Sequence, residues 1–150
     1  MVDKALFSSS TGEWSTPQDF WDELDREFNF RVDLAASTDN AKCVAYFTKN
    51  NDALAFKSRW NVFGGMWWCN PPYGRELPAW LEKAAGSSSG PGVMLLPART
   101  DTNWWHNYVW DRLNHGLHDW IDEIRFVKGR LKFGGAKNSA PFPSVIVVFK

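Results

Sequence analysis

The sequence predicts an α/β protein: a mostly parallel sheet with helices on both faces and an antiparallel C-terminal edge. Two observations predict this class. Apolar, strand-like segments alternate with helix-like ones along most of the chain, which is the pattern of βαβ units. The last strand-like segments follow one another without a helix between them, which indicates antiparallel pairing. At 150 residues, one domain spanning residues 1–150 is expected.

The N-terminal half is predicted to begin with a helix. Ser15 or Thr16 is a plausible N-cap and Pro17 suits the first helical position. Apolar residues then recur at helical spacing, namely Phe20, Trp21, Leu24 and Phe28. Strands are expected within residues 30–37, 42–48 and 64–70.

The C-terminal half is predicted to contain two helices and four strands. The helices are expected within residues 75–86 and 100–113, and the continuously apolar residues 93–98 read as a central strand of a parallel sheet. Three further strands are expected within residues 123–129, 130–135 and 143–150.

Composition excludes several classes of protein. The formal net charge is zero, so the chain as a whole is not a polycation. Its two cysteines form no C-x-x-C pair, which argues against a disulfide framework and against a zinc site, and we expect no metal. Without a signal peptide or a long apolar run, a cytoplasmic protein that does not enter the membrane is expected.

The even charge balance hides an asymmetry. Residues 1–40 carry nine acidic and three basic side chains, whereas residues 125–137 carry five basic side chains and no acid. This basic segment, interleaved with phenylalanines, is typical of a surface that holds a polyanion. A solvated hairpin with lysines on its exposed edge would carry the same residues.

The motif Asn70-Pro71-Pro72-Tyr73 ends one predicted strand. In open α/β sheets, ligands bind where strands end at their carboxyl edge. The Asn70 side-chain oxygen and the Pro71 carbonyl are two acceptors suited to the N–H groups of an exocyclic amine, whose lone pair they would free for attack. Tyr73 offers a ring on which a base can stack. The pattern therefore indicates catalysis on an amine through orientation and electrostatics.

With this motif, the sequence resembles the small phage-type DNA N6-adenine methyltransferases that use S-adenosylmethionine. Residues 69–74 resemble their catalytic loop, residues 14–24 their N-terminal cofactor segment, residues 32–37 their first cofactor motif and residues 51–60 the segment that reads the cofactor adenine. The resemblance spans residues 14–149. It implies a reduced Rossmann-like methyltransferase fold, with Asn70, Pro71, Pro72 and Tyr73 as catalytic residues.

The resemblance also implies a set of cofactor contacts. Asp33 would bind the methionine amino group, Asp52 the adenine amino group, and Thr16 with Pro17 the methionine end. Ala35 stands where the family has a glycine-rich turn, and Asp39 is a candidate for the ribose hydroxyls. The full expected set is Trp14, Ser15, Thr16, Pro17, Asp33, Ala35, Asp39, Asp52, Ala53 and Asn70.

DNA is the expected partner, and its target adenine must be flipped out of the duplex. Phosphate contacts are expected from the basic segment, and Phe142 is a candidate for the face of the base opposite Tyr73, although ordinary core packing is the favoured reading of this residue. One of Trp104 and Trp105 is expected to pack and the other to face substrate. The expected DNA-binding set is Arg75, Arg99, Lys128, Arg130, Lys132 and Phe142.

Other readings remain open from the residues alone. The amine could belong to cytosine N4 or to a protein glutamine side chain, since both pose the same chemical problem. A decoy that keeps the fold and binds DNA without catalysis is a further alternative. No separate target-recognition domain is visible, so loops near residues 125–142 would read the DNA, specificity would be low, or a homodimer would supply the second half.

Overall fold

The computed structural model describes residues 14–150, so the predicted domain of residues 1–150 lies partly outside the described residues. A six-stranded sheet forms its centre. Its strands are β1 (Val32–Asp33), β2 (Ala45–Tyr46), β3 (Trp67–Cys69), β4 (Gly92–Pro97), β7 (Ile121–Phe126) and β8 (Ser144–Phe149). They lie in the order β2-β1-β3-β4-β8-β7. The remaining strands, β5 (Trp110–Asp111) and β6 (Gly116–Leu117), pair only with each other.

Strand directions confirm the predicted α/β class. Strands β2, β1, β3 and β4 are mutually parallel, whereas β8 runs antiparallel to both β4 and β7. The antiparallel strand, β8, is therefore second from one edge of the sheet, and β7 is the edge strand on that side. Because β1, β2 and β3 are parallel, their carboxyl ends meet at one edge, and we call this the carboxyl edge.

Helices cover both faces of the sheet. Adjacent residues of β3 point to opposite faces: Trp67 belongs to one buried cluster and Trp68 to the other, and both are essentially inaccessible to solvent. Such burial contributes about 1.5–3 kcal/mol for each large apolar side chain. The helices are α1 (Gln18–Phe28), packed with Trp68, and α2 (Leu77–Ala85) and α3 (Asn103–Tyr108), packed with Trp67, while Trp60–Phe63 form a 3-10 turn.

Helix α1 begins one step later than predicted. Pro17 is its N-cap, and no side chain caps the helix. The hydroxyl of Thr16 therefore does not serve the helix, and it contacts Asn70 from the loop after β3. Trp21 and Leu24 are buried as the spacing predicts.

Two predicted elements are wrong. The helix expected over residues 100–113 ends at Tyr108, because the chain turns into the β5–β6 hairpin, where the Asp111 carboxylate accepts from the Leu113 backbone N–H at 2.9 Å. The strand expected over residues 130–135 is instead part of an irregular loop, residues 127–143. Here Phe133 turns inward and is buried beside Trp14.

No helix among residues 14–150 is long and apolar enough to cross a membrane.

Candidate active site

The loop after β3 lies between two cavities at the carboxyl edge. Asn70 lines the first cavity, of about 320 Å³, and Tyr73 lines the second, of about 310 Å³. Trp14 lines both cavities. The loop expected to carry catalysis is thus placed where two ligands could meet.

The first cavity collects most of the residues expected to bind a cofactor. Eight of them line it, namely Trp14, Ser15, Thr16, Asp33, Ala35, Asp52, Ala53 and Asn70. Pro17 and Asp39 are not part of its lining, and Asp39 is exposed in a turn. Asp39 is therefore a poor candidate for ribose hydroxyls inside this cavity.

Asp33 is the buried acid of the first cavity. It ends β1, is 3% exposed, and its carboxylate accepts from the backbone N–H groups of Ala35 at 3.2 Å and Lys42 at 3.0 Å. Burial raises the pKa of this carboxyl, and the two backbone donors oppose that rise. Each carboxylate oxygen keeps a further lone pair, so the group can still receive a cationic donor.

The turn after β1 contains no glycine. Ala35 and Ala36 both line the cavity, and the Ala36 N–H donates to the Phe47 carbonyl at 2.9 Å. The small alanine side chains leave room in the cavity, and the hydrogen bond to Phe47 holds this turn against the segment after β2. The cavity therefore remains open here although the turn has no glycine.

The loop that begins at Asp52 forms another wall. Asp52 has a left-handed backbone with φ of 36°, and its carboxylate accepts from the Leu54 N–H at 3.0 Å. The Lys83 ammonium donates to the carbonyls of Ala53 at 2.7 Å and Ala55 at 2.8 Å. These bonds hold the loop against α2, with the Asp52 side chain exposed at the cavity.

The amide of Asn70 has a definite orientation. Its nitrogen donates to the backbone carbonyl of Trp14 and to the Thr16 hydroxyl, the latter at 3.1 Å. Its oxygen is buried and has no hydrogen-bond partner among the described residues. A buried acceptor without a partner is costly, so this oxygen is well suited to an N–H group from a ligand.

The second cavity is aromatic and carries one cationic side chain. It is lined by Trp14, Tyr73, Gly74, Leu77, Pro97, Arg99, Trp104 and Phe142. It therefore brings together three residues expected to touch substrate, namely Tyr73, Arg99 and Phe142. Of the two adjacent tryptophans, Trp104 is the one that lines this cavity. Trp105 is buried in the core.

Tyr73 and Phe142 meet edge to face. Their ring centroids are 5.5 Å apart and their planes are inclined by 77°, while the Tyr73 hydroxyl donates to the Leu95 carbonyl at 3.2 Å. Stacked bases lie about 3.4 Å apart, so a base between two parallel rings would need about 7 Å. The two rings do not form that sandwich, although both line the cavity. Burial raises the Tyr73 pKa, so its phenol stays protonated at neutral pH.

The basic segment is divided between pairing and exposure. Arg125 is bound by Glu27 and Glu123, whereas Lys128, Arg130 and Lys132 are exposed. Arg75, next to the catalytic loop, is exposed as well.

Sequence reasoning missed part of the cavity lining. Thr48 and Lys49 follow the carboxyl end of β2, a position that could have been inferred once β2 was placed. Glu76 and Trp80, at the start of α2, gave no such signal because only the folded chain brings them to the cavity. The missed lining of the first cavity comprises Leu34, Ala36, Asn40, Lys42, Thr48, Lys49, Leu54, Trp68, Glu76 and Trp80.

Comparison with known proteins agrees with this geometry. A family model described as DNA N-6-adenine-methyltransferase (Dam) matches residues 5–150. The chain is also 38% identical over 64 residues to a protein of Escherichia coli (strain K12) named "Putative methyltransferase YfdM". That alignment covers 41% of this chain and 70% of the other protein.

Proposed function

Because the chain belongs to the DNA N-6-adenine-methyltransferase family, and so transfers a methyl group to the N6 amine of adenine in DNA, we propose that the two cavities hold its two substrates. S-adenosylmethionine binds in the first cavity and a flipped-out adenine in the second. The observation that carries this proposal is the buried oxygen of Asn70, a residue of the first cavity, which has no hydrogen-bond partner among residues 14–150.

The first cavity fits the methyl donor by size and by donor set. Its volume of about 320 Å³ is within the range of small-molecule sites, roughly 300–1,000 Å³. Asp33 offers a carboxylate to the amino group of the methionine part, and Asp52, which lines the same cavity, offers one to the adenine amino group. When bound, S-adenosylmethionine supplies an electrophilic methyl group on a positively charged sulfur.

The second cavity fits an unstacked base. Tyr73 and Trp104 offer ring surfaces, and the Arg99 guanidinium lies 5.6 Å from the centroid of the Phe142 ring. We propose that the adenine stacks on Tyr73 and meets Phe142 at its edge, since those two rings are nearly perpendicular. Such stacking is worth about 1–3 kcal/mol per base, which offsets part of the few kcal/mol that base flipping costs.

Activation of the amine follows from two acceptors. The Asn70 oxygen and the Pro71 carbonyl each accept from one N–H of the adenine amine. This withdraws the nitrogen lone pair from the ring and aims it at the first cavity. The Pro71 ring fixes its φ, and the following Pro72 restricts its ψ, so together they limit the directions that the Pro71 carbonyl can take. No side chain needs to become covalently attached to the base.

DNA phosphates are held by exposed cations, one of which, Arg99, lines the second cavity. The candidates are Lys128, Arg130 and Lys132 from the irregular loop, together with Arg75 and Arg99 near the catalytic loop. The loop is anchored by Phe133 and by the Gly134 N–H, which donates to the Ser15 carbonyl at 2.8 Å. The hydrogen bond therefore fixes the position of this basic loop relative to residues 14–16, which line the first cavity.

Calorimetric titration with S-adenosylmethionine tests the proposed cofactor site. Asp33→Ala and Asp52→Ala should each weaken binding by about 1–3 kcal/mol, because each leaves a ligand N–H unpaired. Asp39→Ala is the matched control, since Asp39 is exposed and outside the cavity. Unchanged affinity in both cavity variants would contradict the site, as would an equal loss in the control.

A further inference from the structure

The orientation of the Asn70 amide is determined by its partners. The Trp14 carbonyl has no hydrogen to donate, so only the amide nitrogen can face it. The nitrogen's second hydrogen reaches the Thr16 hydroxyl at 3.1 Å. With both N–H groups engaged, the oxygen must point away from the 14–16 segment.

Both partners are held in place independently of Asn70. Trp14 packs edge to face against Phe133 and Phe142, with centroids 5.4 and 5.5 Å apart. The carbonyl of the intervening residue, Ser15, accepts from Gly134 at 2.8 Å. Thr16 is 5% exposed and does not cap α1, so its hydroxyl is available to Asn70.

A reversed amide would be inactive in the proposed chemistry. Its nitrogen would face the substrate amine, which is itself a donor, and its oxygen would oppose the Trp14 carbonyl. A carboxylate at position 70 would also oppose that carbonyl, because it has no hydrogen to donate. The local contacts thus distinguish asparagine from both alternatives.

We propose that the Trp14 carbonyl and the Thr16 hydroxyl lock the Asn70 amide with its oxygen toward the target amine, so that Thr16 is a positioning residue and an amide is required at position 70. This inference rests on the proposed function, since it assumes that Asn70 accepts from the substrate amine. Thr16 thereby contributes to the methyl-transfer rate in addition to lining the first cavity.

The first test removes the hydroxyl and keeps the shape. Thr16→Val should lower the single-turnover rate of DNA methylation about tenfold, the effect of leaving one buried N–H unpaired. The rate is measured at saturating S-adenosylmethionine, so that a change in cofactor affinity at this lining residue does not enter it. Thr16→Ser keeps the hydroxyl and should restore most of the rate, while Thr38→Val, at an exposed turn outside both cavities, controls for the exchange itself.

A double-mutant cycle separates positioning from direct contact. If Thr16 acts through Asn70, then Thr16→Val should lower the rate no further once Asn70→Ala is present. An additional tenfold loss in that background would overturn the inference, and so would a wild-type rate for Thr16→Val alone. In either case the proposed function stands if Asn70→Ala itself lost activity. A normal rate for Asn70→Ala would overturn both.

Asn70→Asp provides a second test that does not depend on Thr16. It should lose about as much activity as Asn70→Ala, on the order of a hundredfold, while the thermal midpoint shows that the variant is folded. A rate near that of wild type in a folded Asn70→Asp variant would show that no donor toward Trp14 is required, and would overturn the lock.

Discussion

Arg125 forms a bidentate ion pair with Glu27, with N–O distances of 2.9 and 2.5 Å. A second carboxylate, from Glu123, lies 2.6 Å from the same guanidinium. Arg125 is therefore neutralised by helix α1 and by its own strand. Although Arg125 is the first residue of the basic segment, its charge is used in ion pairs within the protein, and we do not expect it to contact DNA.

This division of charge predicts how salt affects DNA binding. Replacing Lys128, Arg130 and Lys132 together with Gln should flatten the dependence of log affinity on log salt by roughly three units, if each neutralises one phosphate. Arg125→Gln is the matched control and should leave the slope unchanged. DNA affinities measured at several salt concentrations show whether these three side chains contact phosphates or are only solvated. Parallel lines for wild type and the triple variant would mean that these three side chains form only a solvated edge.

Asp33 predicts a dependence of stability on pH. Because burial raises its pKa in the folded protein, the folded state binds a proton here more readily than the unfolded chain. The contribution of Asp33 to stability is thus fully present below its ordinary value of 3.8 and is lost as pH rises through the folded pKa.

Asp33→Asn removes this charge at every pH, but its amide nitrogen then faces one of the two backbone N–H groups, so the change of the midpoint difference with pH is the informative quantity. The thermal midpoint of the variant relative to that of wild type should be highest at neutral pH and should fall as the pH drops toward 3.8, because protonation then removes the same charge from wild type. Asp39→Asn controls for the change in net charge. Thermal unfolding across this pH range measures the difference, and a midpoint advantage that grows on acidification would contradict a raised pKa at Asp33.

Tyr73 predicts different effects from its ring and its hydroxyl. Tyr73→Phe removes the bond to the Leu95 carbonyl and should cost about 1 kcal/mol of stability with little loss of kcat/KM. Tyr73→Ala also removes the stacking surface and should lower kcat/KM by about 1–3 kcal/mol. If the phenylalanine variant were as impaired in kcat/KM as the alanine variant, the hydroxyl and not the ring would be the functional group.

Local chemistry accounts for the parts of the site that the sequence predicts. Asn70 to Tyr73 end an apolar strand, so their place at the carboxyl edge follows from strand order alone. Asp33 ends a neighbouring parallel strand and reaches the same edge for the same reason. Helix α2 and strands β4 and β8 have continuous or periodic apolar patterns, which predict them well.

Long-range contacts account for the parts that the sequence does not predict. Thr16 has the local pattern of an N-cap, yet its hydroxyl is used 54 residues away, at Asn70. Phe133 reads as part of a strand, but burial beside Trp14 bends its segment into a loop. Trp80 has ordinary helical spacing, and only the packing of α2 brings it to the first cavity.

The most direct measurement of the central claim is the fate of a labelled methyl group. DNA is incubated with methyl-labelled S-adenosylmethionine and the protein, and the nucleosides are then analysed by mass spectrometry. We expect label on N6-methyldeoxyadenosine with wild type, and about a hundredfold less with Asn70→Ala, assayed at saturating cofactor and below its thermal midpoint so that the variant is loaded and folded. Label on cytosine N4, or equal labelling of adenine by wild type and Asn70→Ala, would contradict the account.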